Sequence, residues 1–220
     1  MKSSIDPSSL DGRLNEAAEA QASLYHTLLY TVLQKPREKH QGGVVIALSS
    51  SNPGEGVTYV ARALVHELAQ CELTSVAGIN VNFLKKLHEP TVEAIRNSVM
   101  RQARRTAEGN NSDERKKASS VVQRSGPWEA NWQYRRECIE LLRSEFDYTI
   151  IDCPSLKESG DVLSISPFVD GIILIVEANR TRRGQPHRAE ERIAAAGGTL
   201  LGYVLNKRVY EVPRWLLPDA

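Results

Sequence analysis

VVIALSSSNPGEGVTYVARALVHELAQ, residues 44–70, decides the fold. It opens on an apolar run rich in β-branched residues, the pattern of a strand buried on both faces. Ser49-Ser50-Ser51-Asn52-Pro53-Gly54-Glu55-Gly56 follows as a turn of small residues. Val60, Leu64 and Leu68 then recur on one face of a helix. A glycine-bearing turn between strand and helix aims several backbone N–H groups at one spot, and the helix start adds the positive end of its dipole. An anion fits there. A plain strand–turn–helix crossover without a ligand is the competing reading.

The phosphate-binding pattern of P-loop proteins, G-x-x-x-x-G-K-[ST], is present but broken. Gly56 fills its second glycine and Thr58 its Mg²⁺-binding hydroxyl, whereas Ser51 stands for the first glycine and Val57 for the lysine. Valine brings no charge to the β- and γ-phosphates. The hydrogen bonds so lost involve charged groups worth about 1.5–3 kcal/mol each, or roughly ten- to a hundredfold in affinity. The candidate cradle is Pro53, Gly54, Glu55, Gly56, Val57, Thr58 and Tyr59.

A second motif lies downstream. Residues 146–154, FDYTIIDCP, run from an apolar strand into an aspartate and a proline turn. This is the Walker B arrangement, in which a strand beside the P-loop strand ends in a carboxylate that holds Mg²⁺. Thr58 and Asp152 are therefore the candidate metal ligands, and Asp152 is the best candidate for a catalytic carboxylate. A turn-forming aspartate at a strand end is the simpler alternative. Between the two motifs, residues 73–82, LTSVAGINVN, read as another apolar strand. ATPases of this class with an extra acidic strand end carry D-x-D at this place; here the residues are Asn80 and Asn82. An amide keeps the shape, loses the charge a Mg²⁺ site relies on, and cannot act as a general base.

The remaining chain alternates helix and strand. Helices are predicted over 90–107, 128–143, 161–168 and 185–196, and strands over 169–178 and 199–206. Residues 119–124 read as a further short strand. In the 128–143 helix, Trp132, Cys138, Leu141 and Leu142 are candidate core residues. This alternation predicts an α/β fold, a doubly wound, mostly parallel sheet with helices on both faces, P-loop NTPase-like. An N-terminal helix from Asp11 to about Gln34, with Leu14, Ala17, Leu24, Leu28 and Val32 on one face, precedes it. Residues 1–42 divide as lead, helix and linker, and 43–220 as the P-loop-like domain. Ligands of such sheets sit at the carboxyl ends of the strands. Val57, Thr58, Asn80, Asn82, Asp152 and Asn206 all fall on that edge.

Composition narrows the classes. A net charge of +1 creates no global field toward nucleic acid or anionic lipid. Arg96, Arg101, Arg104 and Arg105 read as a solvated helix face rather than a nucleic-acid site. Cys71, Cys138 and Cys153 are scattered, form no C-x-x-C pair, and point to a reducing compartment. No apolar segment resembles a signal peptide or a membrane span, so a cytoplasmic protein is expected, reaching a membrane only through a partner.

At this point the chain resembles a known family, the cytoplasmic ATPase domain of bacterial tyrosine kinases of capsular and exopolysaccharide biosynthesis, within the MinD/ParA-like group. Residues 50–56, SSNPGEG, resemble the family's S-x-x-PGEGKS. Residues 146–155, FDYTIIDCPS, resemble its FDYVIIDTPP. Residues 202–208, GYVLNKR, resemble its GVVLNRR, which implies a place near the adenine base for Asn206. Residues 19–24, EAQASL, partly resemble the EAYRSL helix that guides oligomer contacts. The resemblance implies ATP or ADP with Mg²⁺ as cofactors and a membrane polysaccharide co-polymerase or activator protein as partner, with a homo-oligomer as a further option.

Departures cluster on the chemistry. Val57, Asn80 and Asn82 stand against nucleotide binding, Ala22 and Tyr25 replace two arginines of the oligomer helix, and Tyr210 stands where the family has a tyrosine cluster. The expected function is that of a degenerate member, a regulatory or scaffolding component of exopolysaccharide synthesis or export. One alternative is an active ATP-dependent tyrosine kinase, with Lys85, Lys86 or Lys157 standing in for the missing lysine. Another is a MinD/ParA-like positioning ATPase.

Overall fold

In the computed structural model the described residues are 42–70, 74–87, 90–107, 128 and 131–207. The N-terminal helix expected from Asp11, the strand at 119–124, Cys71 and Tyr210 lie outside them.

Five strands carry the fold: β1 (Val44–Ser50), β2 (Val76–Asn80), β3 (Tyr148–Asp152), β4 (Gly171–Glu177) and β5 (Leu200–Asn206). They form one sheet in the order β2-β3-β1-β4-β5, and every pairing is parallel. Among the described residues, the helices that connect them are α1 (Val57–Ala69), α2 (Val81–Lys85), α3 (Val92–Ala107), α4 (Trp132–Glu145), α5 (Asp161–Ile165) and α6 (Gly184–Ala195). The predicted doubly wound parallel sheet is the observed one.

β1 is the axis of the core. All seven of its residues are buried, because alternate side chains feed two separate apolar layers. Val44, Ile46 and Leu48 meet Val60, Leu64 and Leu68 of α1 together with Ile150, Ile173 and Ile175. Val45 and Ala47 face the opposite layer, where Ile139 and Leu142 of α4, Val162 and Ile165 of α5, and Ile193 of α6 pack on Ile151, Ile172 and Leu174. The edge strand β2 alternates buried with half-buried residues, whereas β5 is half-buried to exposed until the buried Asn206 at its end.

Polar clamps fix the strand starts. The Arg143 guanidinium donates to the Gly43 carbonyl at 3.0 Å, the Phe168 carbonyl at 3.1 Å and the Asp170 carboxylate at 2.8 Å. The Val45 amide donates to that same carboxylate at 2.7 Å. One guanidinium thus ties the end of α4 to the entries of β1 and β4. At the foot of β3, the Ser75 hydroxyl and amide donate to the Asp147 carboxylate at 2.7 and 2.8 Å. The Ser75 hydroxyl is the main reason the Asp147 carboxyl sits below its ordinary value.

Several boundaries differ from expectation for local reasons. The strand predicted over 73–82 stops at Asn80, whose side chain accepts from the Asn82 amide and caps α2, so Asn82 is helical. The helix predicted from 128 starts at Trp132, because Asn131 accepts from the Gln133 amide as its N-cap. Trp132 is consequently 53% exposed, stacked on Phe168 at 6.5 Å, while Trp128 is buried. α5 ends at Ile165, short of the predicted 168. Cys138 is buried and unpaired, and burial pushes its thiol up to about 12.

Leu64 is 1% exposed at the centre of the α1 layer. Leu64→Ala is expected to destabilise the fold by about 2–5 kcal/mol, read as a lower midpoint in urea unfolding at unchanged slope.

Candidate functional site

Strand order places the site. The connection leaving β1 runs through α1 to β2 on one side, and the connection leaving β3 runs through α5 to β4 on the other. Their carboxyl ends diverge and leave a crevice between adjacent strands, the usual ligand position of an open α/β sheet. Leu48 pairs with Asp152 there, and Asp152 pairs in turn with Asn80.

The loop after β1 is held by its own polar groups and by the far side of the sheet. The Ser49 hydroxyl donates to the Pro154 carbonyl at 2.7 Å, and the Ser50 hydroxyl to the Asn52 carbonyl at 2.8 Å. Glu55 is 2% exposed, and its carboxylate turns inward. It accepts from the Asn52 amide at 3.1 Å, from Asn52 Nδ2 at 3.1 Å and from the Thr181 hydroxyl. From β5, Asn206 Nδ2 donates to the Glu55 carbonyl at 3.0 Å, and Lys207 Nζ donates to the Gly54 carbonyl at 2.6 Å. Gly54 and Gly56 have φ of 82° and 96°, the left-handed region that favours glycine. At Gly56 a Cβ would stand 2.1 Å from Asn206 Nδ2, so this glycine also admits the asparagine beneath the loop.

A cavity of about 570 Å³ opens above this loop. Of the predicted residues, Pro53, Gly54, Gly56, Val57, Thr58, Asn80, Asn82 and Asp152 line it. Glu55, Tyr59 and Asn206 do not: Glu55 braces the loop, Tyr59 is exposed on α1, and Asn206 supports the turn from below.

At the cavity floor, Asp152 is 6% exposed. Its Oδ2 accepts from the Thr58 hydroxyl at 2.9 Å and from Asn80 Nδ2 at 3.1 Å. Burial pushes the Asp152 carboxyl above the ordinary carboxylate range, and these two hydrogen bonds pull against the rise without cancelling it. The opposite wall carries Lys85, Glu158, Ser159 and Asp161. Lys85 Nζ pairs with the two Asp161 carboxylate oxygens at 3.1 and 3.4 Å. Among the described residues, three carboxylates and one ammonium line the cavity, an acidic balance.

The donor set suits a phosphate with its cation. α1 starts at Gly56 with no side chain capping it, which leaves its first turn open to an anion. Ser51 Oγ is buried in the loop without a hydrogen-bond partner. Thr58 and Asp152, already in contact, are the hydroxyl and carboxylate that would hold Mg²⁺. The ion would supply the positive charge an acidic cavity needs before a phosphate chain can enter.

Sequence reasoning passed over Ser159 and Glu158 as site residues and could not place Lys85. The 76 residues that separate Lys85 from Asp161 are joined only by the sheet. Of the other two lysines considered, Lys86 lies 5.8 Å from the Phe83 ring centroid, and Lys157 lines a separate cavity of about 470 Å³.

The fold is an all-parallel α/β fold of the P-loop type. No family model matches the chain. It is 35% identical over 74 residues to the tyrosine-protein kinase CpsD of Streptococcus agalactiae, covering 34% of this chain and 32% of that protein. It is 23% identical over 176 residues to the tyrosine-protein kinase YwqD of Bacillus subtilis strain 168, covering 73% of this chain and 71% of that protein. The match to the streptococcal protein thus spans about a third of its length. Among solved structures, the kinase domain of Escherichia coli tyrosine kinase ETK superposes with a TM-score of 0.56 at 17% identity, over 86% of this chain and 76% of that one. At that identity the superposition speaks for the fold alone. The resemblance to bacterial tyrosine kinases read from the two motifs is thereby borne out.

Because the Asp152 carboxyl is held above its ordinary value, the folded state binds its proton more tightly than the unfolded chain. Stability from this group is therefore lost as pH rises from the ordinary carboxylate range through the raised value. Asp152→Asn keeps an oxygen for Thr58 and Asn80 and removes the buried charge. It is expected to raise Tm at pH 7, with the gain shrinking in acid below the ordinary carboxylate range, as followed by thermal melts across pH.

Proposed function

We propose that this chain is a degenerate member of the bacterial tyrosine-kinase family, keeping the phosphate cradle and the Mg²⁺ ligands but lacking the groups that drive phosphotransfer. The observation that carries the reading is Asn80. Its amide donates to the buried Asp152 carboxylate, and its oxygen accepts from the Asn82 amide. A carboxylate at position 80 would face Asp152 across about 3 Å, where two like charges resist joint ionisation. Asparagine settles the contact as a hydrogen bond and leaves a group that cannot accept a substrate proton.

Val57 supports the same reading. It is 9% exposed and packs in the α1 layer, so the position serves the core as well as the cavity rim. ATP or ADP would bind weakly and with Mg²⁺, through the Gly54–Gly56 turn, Thr58 and Asp152.

On this reading the chain acts as a regulatory or scaffolding component of exopolysaccharide synthesis or export. Its P-loop-like domain is the one to which the described residues from Gly43 to Lys207 belong. The partner is a membrane polysaccharide co-polymerase or activator protein that recruits the chain from the cytoplasm to the inner membrane face. No helix among the described residues is long and apolar enough to cross a membrane.

Purified protein incubated with Mg·ATP is expected to form no phosphotyrosine by mass spectrometry, and phosphotyrosine in the wild type would overturn the reading. Val57→Lys, whose flexible stem can bring its ammonium to the cavity, is expected to tighten Mg·ATP binding by about ten- to a hundredfold in calorimetry. It should also lower Tm by a few degrees and still yield no phosphotyrosine.

A further inference from the structure

The missing loop lysine leaves a question of charge that the cavity wall answers. Val57 supplies none. Among the described residues lining the cavity, Lys85 is the one cation. The other lysines near the loop are engaged elsewhere: Lys207 holds the Gly54 carbonyl and pairs with Glu177 at 3.3 Å, and Lys157 faces the second cavity. Lys85 is the last residue of α2, the short helix capped by Asn80, so the strand end that touches Asp152 also positions this ammonium. In the structure the ammonium is paired with Asp161.

We propose that Lys85 takes the role of the absent loop lysine, leaving Asp161 to pair with the phosphates of a nucleoside polyphosphate seated on the loop, and that Asp161 restrains it until then. This rests on the reading of the loop as a phosphate cradle.

Three features make the exchange feasible. The Lys85 side chain is 27% exposed and that of Asp161 12%, so solvent reaches the ammonium end of the pair and a more highly charged anion can compete for it. Its four-carbon stem is flexible, and an ammonium accepts many bonding directions. Asp161 retains a second donor, the Ser159 hydroxyl at 2.9 Å, so its carboxylate keeps a hydrogen bond when the ammonium departs. Charge balance also favours the exchange, because phosphates compete with Asp161 for one cation in an otherwise acidic cavity.

The two partners therefore have opposite effects on binding. Calorimetry of the full chain with Mg·ATP would compare wild type, Lys85→Gln, Asp161→Asn and the double variant, each checked by thermal melting. Lys85→Gln is expected to weaken binding at least tenfold. Asp161→Asn, in which the amide oxygen still accepts from Ser159, is expected to strengthen it about threefold to tenfold, and the double variant to bind like Lys85→Gln. A merely destabilised protein would not bind more tightly, so the second variant excludes a folding artefact. The proposal is overturned if folded Lys85→Gln binds as wild type does, if Asp161→Asn weakens binding, or if neither wild type nor Asp161→Asn binds. Phosphotransfer is read by phosphotyrosine and not by heat, so the loss of activity and the role of Lys85 can fail separately.

Discussion

Three elements meet on one buried oxygen. Asp152 Oδ2 ends β3, takes the Thr58 hydroxyl from the first turn of α1, and takes the Asn80 amide from the end of β2. A carboxylate at 6% exposure is costly to ionise, and these donors offset part of that cost. The loop above depends on the same contact. Thr58 can reach Asp152 only if the turn from Ser50 to Gly56 closes tightly over the strand ends. The left-handed glycines and the inward Glu55 carboxylate provide that closure.

On the proposed reading, charge has been lost without loss of fold. In an intact site the strand end after β2 would carry carboxylates beside Asp152, and the loop would carry a lysine to balance the phosphates. Here both ends are neutral, and the neutral groups are satisfied: Asn80 hydrogen-bonds on both sides, and Val57 packs in the apolar layer under α1. A binding cradle and a structural joint would use the same backbone, so on the proposed reading the joint outlasts the chemistry. Among the described residues that line the cavity the cation is Lys85, in an ion pair with Asp161.

Much of this was legible in the sequence because it is local. The β-branched runs of β1, β3 and β4, the glycine turn and the apolar face of α1 each declare themselves within a dozen residues. The place of Asp152 followed from the strand that precedes it. The unread parts depend on contacts across the chain. Lys85 meets Asp161, and Asn206 reaches the Glu55 carbonyl, only through the sheet. Glu55 reads as part of the phosphate cradle in sequence, yet Asn52 and Thr181 draw its carboxylate inward. Trp132, expected in the core, is exposed because Asn131 caps the helix immediately before it. In each case a side chain competed for a backbone group or a distant partner, and periodicity carries no record of that.

The central claim is that the Thr58–Asp152 half of the site still works as a cation-dependent phosphate cradle. The most direct test is ADP binding by calorimetry, with Mg²⁺ and with the metal chelated, on wild type and on Thr58→Val. The expected result is measurable binding only with Mg²⁺ and its loss in Thr58→Val. Equal binding with and without Mg²⁺, or unchanged binding in Thr58→Val, would contradict it.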